Sequence, residues 1–361
     1  MGVLRDKNTG TWSVQVCFAD WQGNRQRKHK RGFGTKREAQ AWEREFLLQK
    51  SDDLDMAFDR FCEVYKEDRK PRLRASTWET KEHMLRTKVI PYFGNTPICD
   101  IDAKAVIRWQ NKMIDSCGKN GEKYSPTYLK AIHNQLTAVF THATKFYGLK
   151  VNPASRAGSM GKKNADEMKF WTRDEYACFA RSVIEDPRLY YPFEVLYWCG
   201  LRLGEMLALT HGDIDFAKKT IRVNKSLQRI GGKDIIGDPK TTKSKRIVTM
   251  PDNLCVELKQ YMALIYNAKP EDRLFHVSKS NLNTQIKKHA DLAGIKQIRV
   301  HDLRHSHISL LIELGFSPVA IAPRVGHESI EITLRYAHLF PTRQQEMAAK
   351  LSSQMSEDCY E

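Results

Sequence analysis

The sequence predicts a multidomain, mainly α chain: a small N-terminal three-stranded β-sheet plus helix, an all-helical domain, and a larger domain of mixed α structure with a small β-sheet. Three observations lead there. The chain has 361 residues, more than one ordinary core organises at roughly 100–200 residues per domain. Apolar residues alternate with period two only near the N-terminus and between about Thr220 and Met250, and recur at helical spacing almost everywhere else. Residues 152–168, rich in Gly, Ser, Asn and Lys and without apolar periodicity, read as an exposed linker between a domain at 51–151 and one at 169–361.

Residues 1–50 carry eleven Lys and Arg against five Asp and Glu. Trp12, Val14, Val16 and Phe18 alternate with polar positions in one strand, and Gly23-Asn24 supplies hairpin-turn chemistry. The next strand, Arg25-Gln26-Arg27-Lys28-His29-Lys30-Arg31, can present cations on both faces. Thr35-x-x-Glu38 makes a capping box ahead of Ala39, Trp42, Phe46 and Leu47 at helical spacing, so a helix closes the sheet.

From Ser51 to about Tyr147 the signals are helical. Phe58, Phe61, Val64 and Tyr65 recur on one face, and Ser76-x-x-Glu79 reads as a second capping box. Pro91-Tyr92-Phe93-Gly94 predicts an interruption. Val106, Ile107, Trp109 and Met113 then restore an amphipathic helix, and another runs from about Pro126 to Tyr147, giving four or five helices. The last domain opens on a third capping box, Thr172-x-x-Glu175. It carries one small sheet from Thr220-Ile221-Arg222-Val223, a Gly231-Gly232 turn and Arg246-Ile247-Val248-Thr249-Met250.

At 41% hydrophobic and 10% aromatic the chain holds enough apolar material to fold throughout. A net charge of +16 and a pI near 9.4 imply a polyanionic partner, because Lys and Arg that neutralise phosphates release counterions. The first residues contain no apolar signal core, and no run approaches the roughly 18 apolar residues of a membrane helix. A soluble, cytoplasmic protein that does not engage membrane is therefore expected. Eight cysteines, without a C-x-x-C pair or His-spaced metal signature, read as reduced packing residues, and no metal is expected.

Four segments of the last domain carry chemistry. In Gly200-Leu201-Arg202-Leu203-Gly204-Glu205, Gly200 ends one helix, and Arg202 and Glu205 stand at i, i+3 on the next, so Glu205 can orient a cation. Pro239-Lys240-Thr241-Thr242-Lys243-Ser244-Lys245-Arg246 is a cation-rich turn whose Lys240 precedes the strand, at a hairpin tip able to reach into a groove. In His301-Asp302-Leu303-Arg304 the His and Arg share a helix face and can touch one phosphate. Gly326-His327-Glu328-Ser329 precedes Arg335-Tyr336-Ala337-His338 closely enough for His327 and Tyr336 to share a site.

These segments resemble the tyrosine recombinase (lambda-type phage integrase) family, whose signature is an Arg, a hairpin Lys, an H-x-x-R, a His or Trp after Gly, and a Tyr. All slots are filled in order over about residues 170–340. Residues 1–50 resemble the family's arm-type DNA-binding module, through Gly32-Phe33-x-Thr35-Lys36-x-Glu38-Ala39, and residues 51–151 its helical core-binding (SAM-like) domain. Each motif alone is common; the ordered set is not. Val325 stands where Leu usually precedes Gly-His, and Cys199 where a small polar residue is frequent. Neither is a catalytic slot.

The resemblance implies that Tyr336 attacks DNA to form a 3′-phosphotyrosyl link, a type IB topoisomerase-like transesterification that conserves bond energy without any cofactor. Its hydroxyl, with a pKa near ~10, needs deprotonation and charge stabilisation. Arg202 and Arg304 present planar forks suited to phosphate oxygens. The same resemblance makes Lys240 the general acid toward the leaving 5′ oxygen, His301 a proton acceptor or phosphate contact, His327 a phosphate donor, and Glu205 an orienting group for His301 or an arginine. It further implies integration and excision of a mobile element, a prophage or conjugative element, in a bacterial host. The partners implied are double-stranded DNA at core and arm-type attachment sites, a homotetramer exchanging strands through a Holliday junction, and accessory directionality and DNA-bending proteins.

Plainer readings compete. An isolated R-x-x-E is usually a surface ion pair, and the plain reading of Lys240 is one solvated lysine among Lys243, Lys245 and Arg246; the ordered set decides the first case and the family's P-K-T pattern, met by Pro239-Lys240-Thr241, the second. His305, His307 and His338 read as packing or supporting residues. Tyr360 lies in an acidic tail and is set aside. Arg25, Arg27, Lys28, Lys30 and Arg31, five cations in seven residues beside aromatics, point to DNA contact over a merely solvated hairpin. A chromosome-dimer-resolving or topoisomerase-like enzyme is disfavoured by the arm-like module, and a catalytically idle DNA-binding regulator by the complete set of slots.

Overall fold

The computed structural model describes residues 2–5, 10–19, 25–52, 54–118, 120–162, 168–239, 242–334, 336, 348 and 351–352. Two compact units divide the chain, Met1–Asp166 and Glu167–Glu361.

In the first unit β1 (Gly2–Arg5), β2 (Trp12–Ala19) and β3 (Arg25–Phe33) form an antiparallel sheet in that order, followed by α1 (Lys36–Asp52). Val14, Val16 and Ala39 are fully buried between sheet and helix, with Trp42 and Phe46 packed against them. The predicted capping box is present: Glu38 N donates to Thr35 Oγ1 and Thr35 N to Glu38 Oε2, both at 3.2 Å. Register settles which cations face where. Lys28 and Lys30 pair with Val16 and Val14 and so lie on the helix side, whereas Arg27 and His29 pair with Cys17 and Gln15 and lie on the open face. Arg31 joins that open face, its Nε 3.4 Å from His29 Nδ1.

The helical part comprises α2 (Phe58–Arg69), α3 (Ala75–Met84), α4 (Ile90–Phe93), α5 (Ala103–Asp115), α6 (Pro126–Phe146) and α7 (Pro153–Ala157) around Phe58, Phe61, Phe93, Trp109, Ile132 and Phe140. Three local expectations are corrected here. Ser76 does not cap a helix; Arg74 holds that position, its carbonyl accepting from Thr77 N and Trp78 N at 3.0 Å. A hydroxyl cap contributes only ~1 kcal/mol, less than seating the Trp78 indole in the core, where its Nε1 also donates to Glu82 at 2.9 Å. Pro91 does not break the helix, because a π-helical turn at Leu85–Val89 carries α3 into α4 as far as Gly94. Ile107 is exposed, one position off the stripe of Val106, Trp109, Gln110 and Met113 that α5 buries.

The first part of the expected linker, residues 152–162, is corrected as well, and residues 163–167 lie outside the described ones. Asn152 caps α7 by accepting from Ser155 N at 3.0 Å, and Pro153, Ala154 and Met160 are buried in the helical core. Its small residues serve close approach rather than slack. Gly161 has φ +76°, and a Cβ there would sit 2.0 Å from the Pro126 carbonyl oxygen.

The second unit contains α8 (Arg173–Val183), α9 (Pro187–Cys199), α10 (Leu203–Leu207), β4 (Ile214–Asp215), β5 (Thr220–Val223), β6 (Ser226–Ile230), β7 (Lys233–Gly237), β8 (Arg246–Thr249), α11 (Asp252–Ala263), α12 (Lys279–Leu292), α13 (Asp302–Glu313), α14 (Pro318–Val325) and α15 (Ile330–Leu334). Thr172 and Glu175 form the expected capping box. The single predicted sheet is two: an antiparallel β4-β5-β8 sheet and a β6-β7 hairpin turning on Gly231 and Gly232, both at positive φ. Trp171, Phe179, Phe193, Tyr197 and Phe275 anchor the core.

Cys62, Cys199 and Cys255 are buried, as expected of packing residues, but Cys117 is exposed. Among the described residues no helix is long and apolar enough to cross a membrane.

Replacing Gly161 by Ala is expected to destabilise the first unit by about 2–3 kcal/mol, since strained φ adds to collision with backbone that cannot turn aside. A urea midpoint unchanged from wild type would contradict this.

Candidate active site

Two left-handed glycines shape the site. Gly200 ends α9 at φ 63° and turns the chain so that Arg202 becomes the N-cap of α10. No other residue fits at Gly200: a Cβ would lie 2.4 Å from the buried His307 ring, and the Gly200 carbonyl accepts from Arg304 Nη1 at 2.7 Å. Gly326 ends α14 at φ 67°, and His327 N closes the turn on the Ala322 carbonyl at 3.0 Å. Pro323 does not shorten this helix.

Arg202 is held at three points. Its Nη1 donates to Glu205 Oε1 at 2.8 Å and to Ser244 Oγ at 3.3 Å, and its Nη2 donates to the Gly326 carbonyl at 2.8 Å. Glu205 is 2% exposed and also accepts from Arg202 N at 3.0 Å and from Arg246 Nη2 at 2.9 Å. Burial raises its pKa, but the hydrogen bond from Arg246 and the charges of Arg246 and Arg202 outweigh that, and the carboxyl stays below its ordinary range. Glu205 thus orients arginines and not His301.

Arg304 is 3% exposed, one turn into α13. Burial and then the Arg202 charge push it below the ordinary arginine range, and its Nη2 is buried without a hydrogen-bond partner among the described residues. Arg202 and Arg246 bond one buried carboxylate and Arg304 lies within reach of its charge, an excess of positive charge that favours an anion. His301, at the N-cap of α13, is exposed at the mouth; desolvation and then Arg304 lower its pKa. His327 lies with Nδ1 2.8 Å from the buried Thr333 Oγ1, and burial, then Arg304 and Arg202, lower its pKa to about 3. It is a neutral imidazole.

Tyr336, 2% exposed, packs with Ile308, Ile312, Ile321 and Val325, and its hydroxyl meets His305 Nδ1. Arg202, His301, Arg304, His327 and Tyr336 are therefore brought together, with Glu205 beneath them. Lys240 lies outside the described residues, as do Arg335, His338 and Tyr360. Lys243, on the adjoining turn, donates to the Glu328 carbonyl at 3.0 Å.

Two residues escaped the sequence reading. Arg246, named there only among the cations beside Lys240, is 7% exposed and ties Glu205 to the Ser244 and Arg324 carbonyls at 3.0 and 2.8 Å. The period-two pattern Arg246, Val248, Met250 marks the inward face of β8 and could have placed it. His305, set aside as packing, stands at i+4 from His301 and touches Tyr336; that helical spacing was the available signal. His307 is buried against Gly200, as expected of a packing residue.

Comparison with known proteins matches residues 174–343 to the phage integrase family, 57–114 to the phage integrase N-terminal SAM-like domain, and 3–50 to the arm DNA-binding domain. The chain belongs to the phage integrase family. It is a tyrosine recombinase, a DNA strand-breaking and rejoining enzyme of the integrase type. The ICEBs1 integrase of Bacillus subtilis strain 168 is 28% identical over 308 residues, 80% of this chain and 79% of that protein. In fold, the chain is similar to the Tn1549 transposon integrase in complex with circular intermediate DNA, at TM-score 0.68, 18% identity and coverage of 83% and 99%. It is also similar to a lambda integrase tetramer bound to a Holliday junction, at TM-score 0.60, 14% identity and 94% coverage of both chains.

Arg246→Met in this integrase is expected to lower the unfolding free energy of the second unit by about 3 kcal/mol, because a buried carboxylate loses a bonded partner. Denaturant unfolding checks it, and a loss under 1 kcal/mol would contradict it.

Proposed function

We propose that this enzyme integrates and excises a mobile element, a prophage or a conjugative element, by cutting DNA with Tyr336 through a 3′-phosphotyrosyl intermediate. The observation that carries the reading is the meeting of Tyr336 with Arg202, Arg304 and His327, brought from distant parts of the chain around excess buried positive charge and an unpaired Arg304 Nη2. Phosphoryl transfer asks for little beyond such positioning and charge. Arg202 and Arg304 clamp the nonbridging oxygens of the scissile phosphate. His327 is neutral; with Nδ1 accepting from the Thr333 hydroxyl, its Nε2–H is free to donate to the same phosphate. His301 adds a contact at the mouth, Lys240 protonates the leaving 5′ oxygen, and Glu205 keeps Arg202 aimed.

Residues 1–50 act as the arm-type DNA-binding domain, residues 51–151 with the packed segment through 162 as the core-binding domain, and the unit from 169 on as the catalytic domain. Arg27 and Arg31 on the open face of the sheet engage arm-site DNA. Arg25, Lys28 and Lys30 add phosphate contacts; Lys30 is also stacked 4.9 Å over Trp42. Strand exchange proceeds in a homotetramer through a Holliday junction, assisted by directionality and DNA-bending proteins in a bacterial cytoplasm.

A nicked suicide substrate bearing the core site should trap wild-type enzyme covalently and Tyr336→Phe not at all; trapping that survives the substitution would overturn the nucleophile assignment. Deleting residues 1–50 should spare core-site cleavage while reducing integration at least ~100-fold in a plasmid assay, as expected when several phosphate contacts are lost. Integration at the wild-type level would remove the arm assignment.

A further inference from the structure

We propose that His305 is the base that takes the proton of the Tyr336 hydroxyl, held to that task by Asp302 and Arg299. The inference rests on Tyr336 being the nucleophile and adds the group that activates it.

The Tyr336 hydroxyl meets Nδ1 of His305. On the other side of the ring, Nε2 lies 3.9 Å from Oδ1 of Asp302, one helical turn back. Asp302 is 2% exposed, and Arg299 fixes its carboxylate through the backbone N and Nη2, each at 2.8 Å, and through Nε at 3.1 and 3.2 Å. A neutral imidazole with its proton on Nε2, facing the carboxylate, leaves the Nδ1 lone pair on the phenol. This is the base-and-orienter arrangement that activates weak hydroxyl nucleophiles.

The charged and titratable groups around the ring come from four segments. Asp302, His301 and Arg304 share α13, with the His301 ring 5.4 Å away and edge-on. Arg299 precedes that helix, Tyr336 follows α15, and His327 follows α14. Burial first, then His301, lower the His305 pKa to about 4 against the pull of Asp302. The ring is thus unprotonated at neutral pH and ready to accept. His301, by contrast, is exposed at the mouth.

The step balances. The proton on the Tyr336 oxygen passes to His305 Nδ1, the phenolate oxygen bonds to phosphorus, and the P–O5′ bond breaks, its electron pair leaving with the 5′ oxygen, which Lys240 protonates. The imidazolium so formed faces Asp302. In rejoining, the 5′ hydroxyl gives its proton to the neutral Lys240 amine as its oxygen attacks phosphorus, the P–O bond to Tyr336 breaks with its electron pair leaving on the tyrosine oxygen, and His305 returns its proton there.

Single-turnover cleavage of a 5′-bridging phosphorothiolate duplex, whose leaving group needs no acid, isolates this step. His305→Gln should cleave about 10²–10³-fold more slowly than wild type near neutral pH. Between about pH 6 and 8 its rate should climb close to tenfold per unit as hydroxide replaces the base, while the wild-type rate changes little. A more acidic fluorinated tyrosine at position 336 should restore most of the loss in His305→Gln and alter wild type only slightly. A rate within about threefold of wild type, or an equal loss at every pH without rescue, would overturn the proposal and make His305 a packing residue. If His305→Gln unfolds, His305→Ala with added imidazole gives the same decision, rate recovery supporting the base and none overturning it. Loss of covalent trapping in Tyr336→Phe alongside an unaffected His305→Gln would sink this inference alone; trapping that survives in Tyr336→Phe would sink the nucleophile with it.

Discussion

Glu205 is one carboxylate with almost no access to water, and the geometry of the catalytic unit depends on what it holds. It bonds Arg202 from α10 and Arg246 from β8. Those two arginines in turn bond the Gly326 and Arg324 carbonyls at the end of α14. One negative charge thus fastens together the helix start that carries Arg202, the strand that follows the Lys240 turn, and the turn that carries His327. Burying a carboxylate is costly unless it is paired and hydrogen-bonded, and here both of its oxygens are engaged.

The same arrangement leaves positive charge in surplus. Arg304 is buried with one fork nitrogen unpartnered among the described residues, and its charge bears on His301 and His327. Buried cations held close together cost stability unless an anion shares the site, and the proposed phosphodiester is such an anion. Binding energy of that kind acts where negative charge gathers in the transition state. The histidines beside these arginines are kept neutral by burial and by their neighbours, so they can exchange or donate protons without adding to the repulsion.

Much of this was legible beforehand. Arg202, Glu205, His301, Arg304, His327 and Tyr336 could be singled out because, common as each motif is alone, they stand in one family-like order along the chain. Errors arose where local chemistry and packing disagreed. Ser76 looked like a cap and was overruled by Trp78; Ile107 looked apolar enough to bury and fell off the stripe; residues 152–168 looked like a linker, yet α7 at their start packs against α5 and α6. Arg246 and His305 were undervalued because charge and histidine count say nothing about direction.

The sequence by itself determined the order of elements, the capping boxes at Thr35 and Thr172, the left-handed turns at Gly200 and Gly326, the basic strand and the set of chemical groups, since these depend on neighbours within a few residues. Only the tertiary structure decided that Glu205 grips two arginines, that Arg304 lies buried against the Gly200 carbonyl, and that the Tyr336 hydroxyl rests on His305. Apart from the local Arg202–Glu205 pair, those contacts join residues 31 to 104 positions apart, or depend on which face of an element is buried. Such facts exist only once the core has closed.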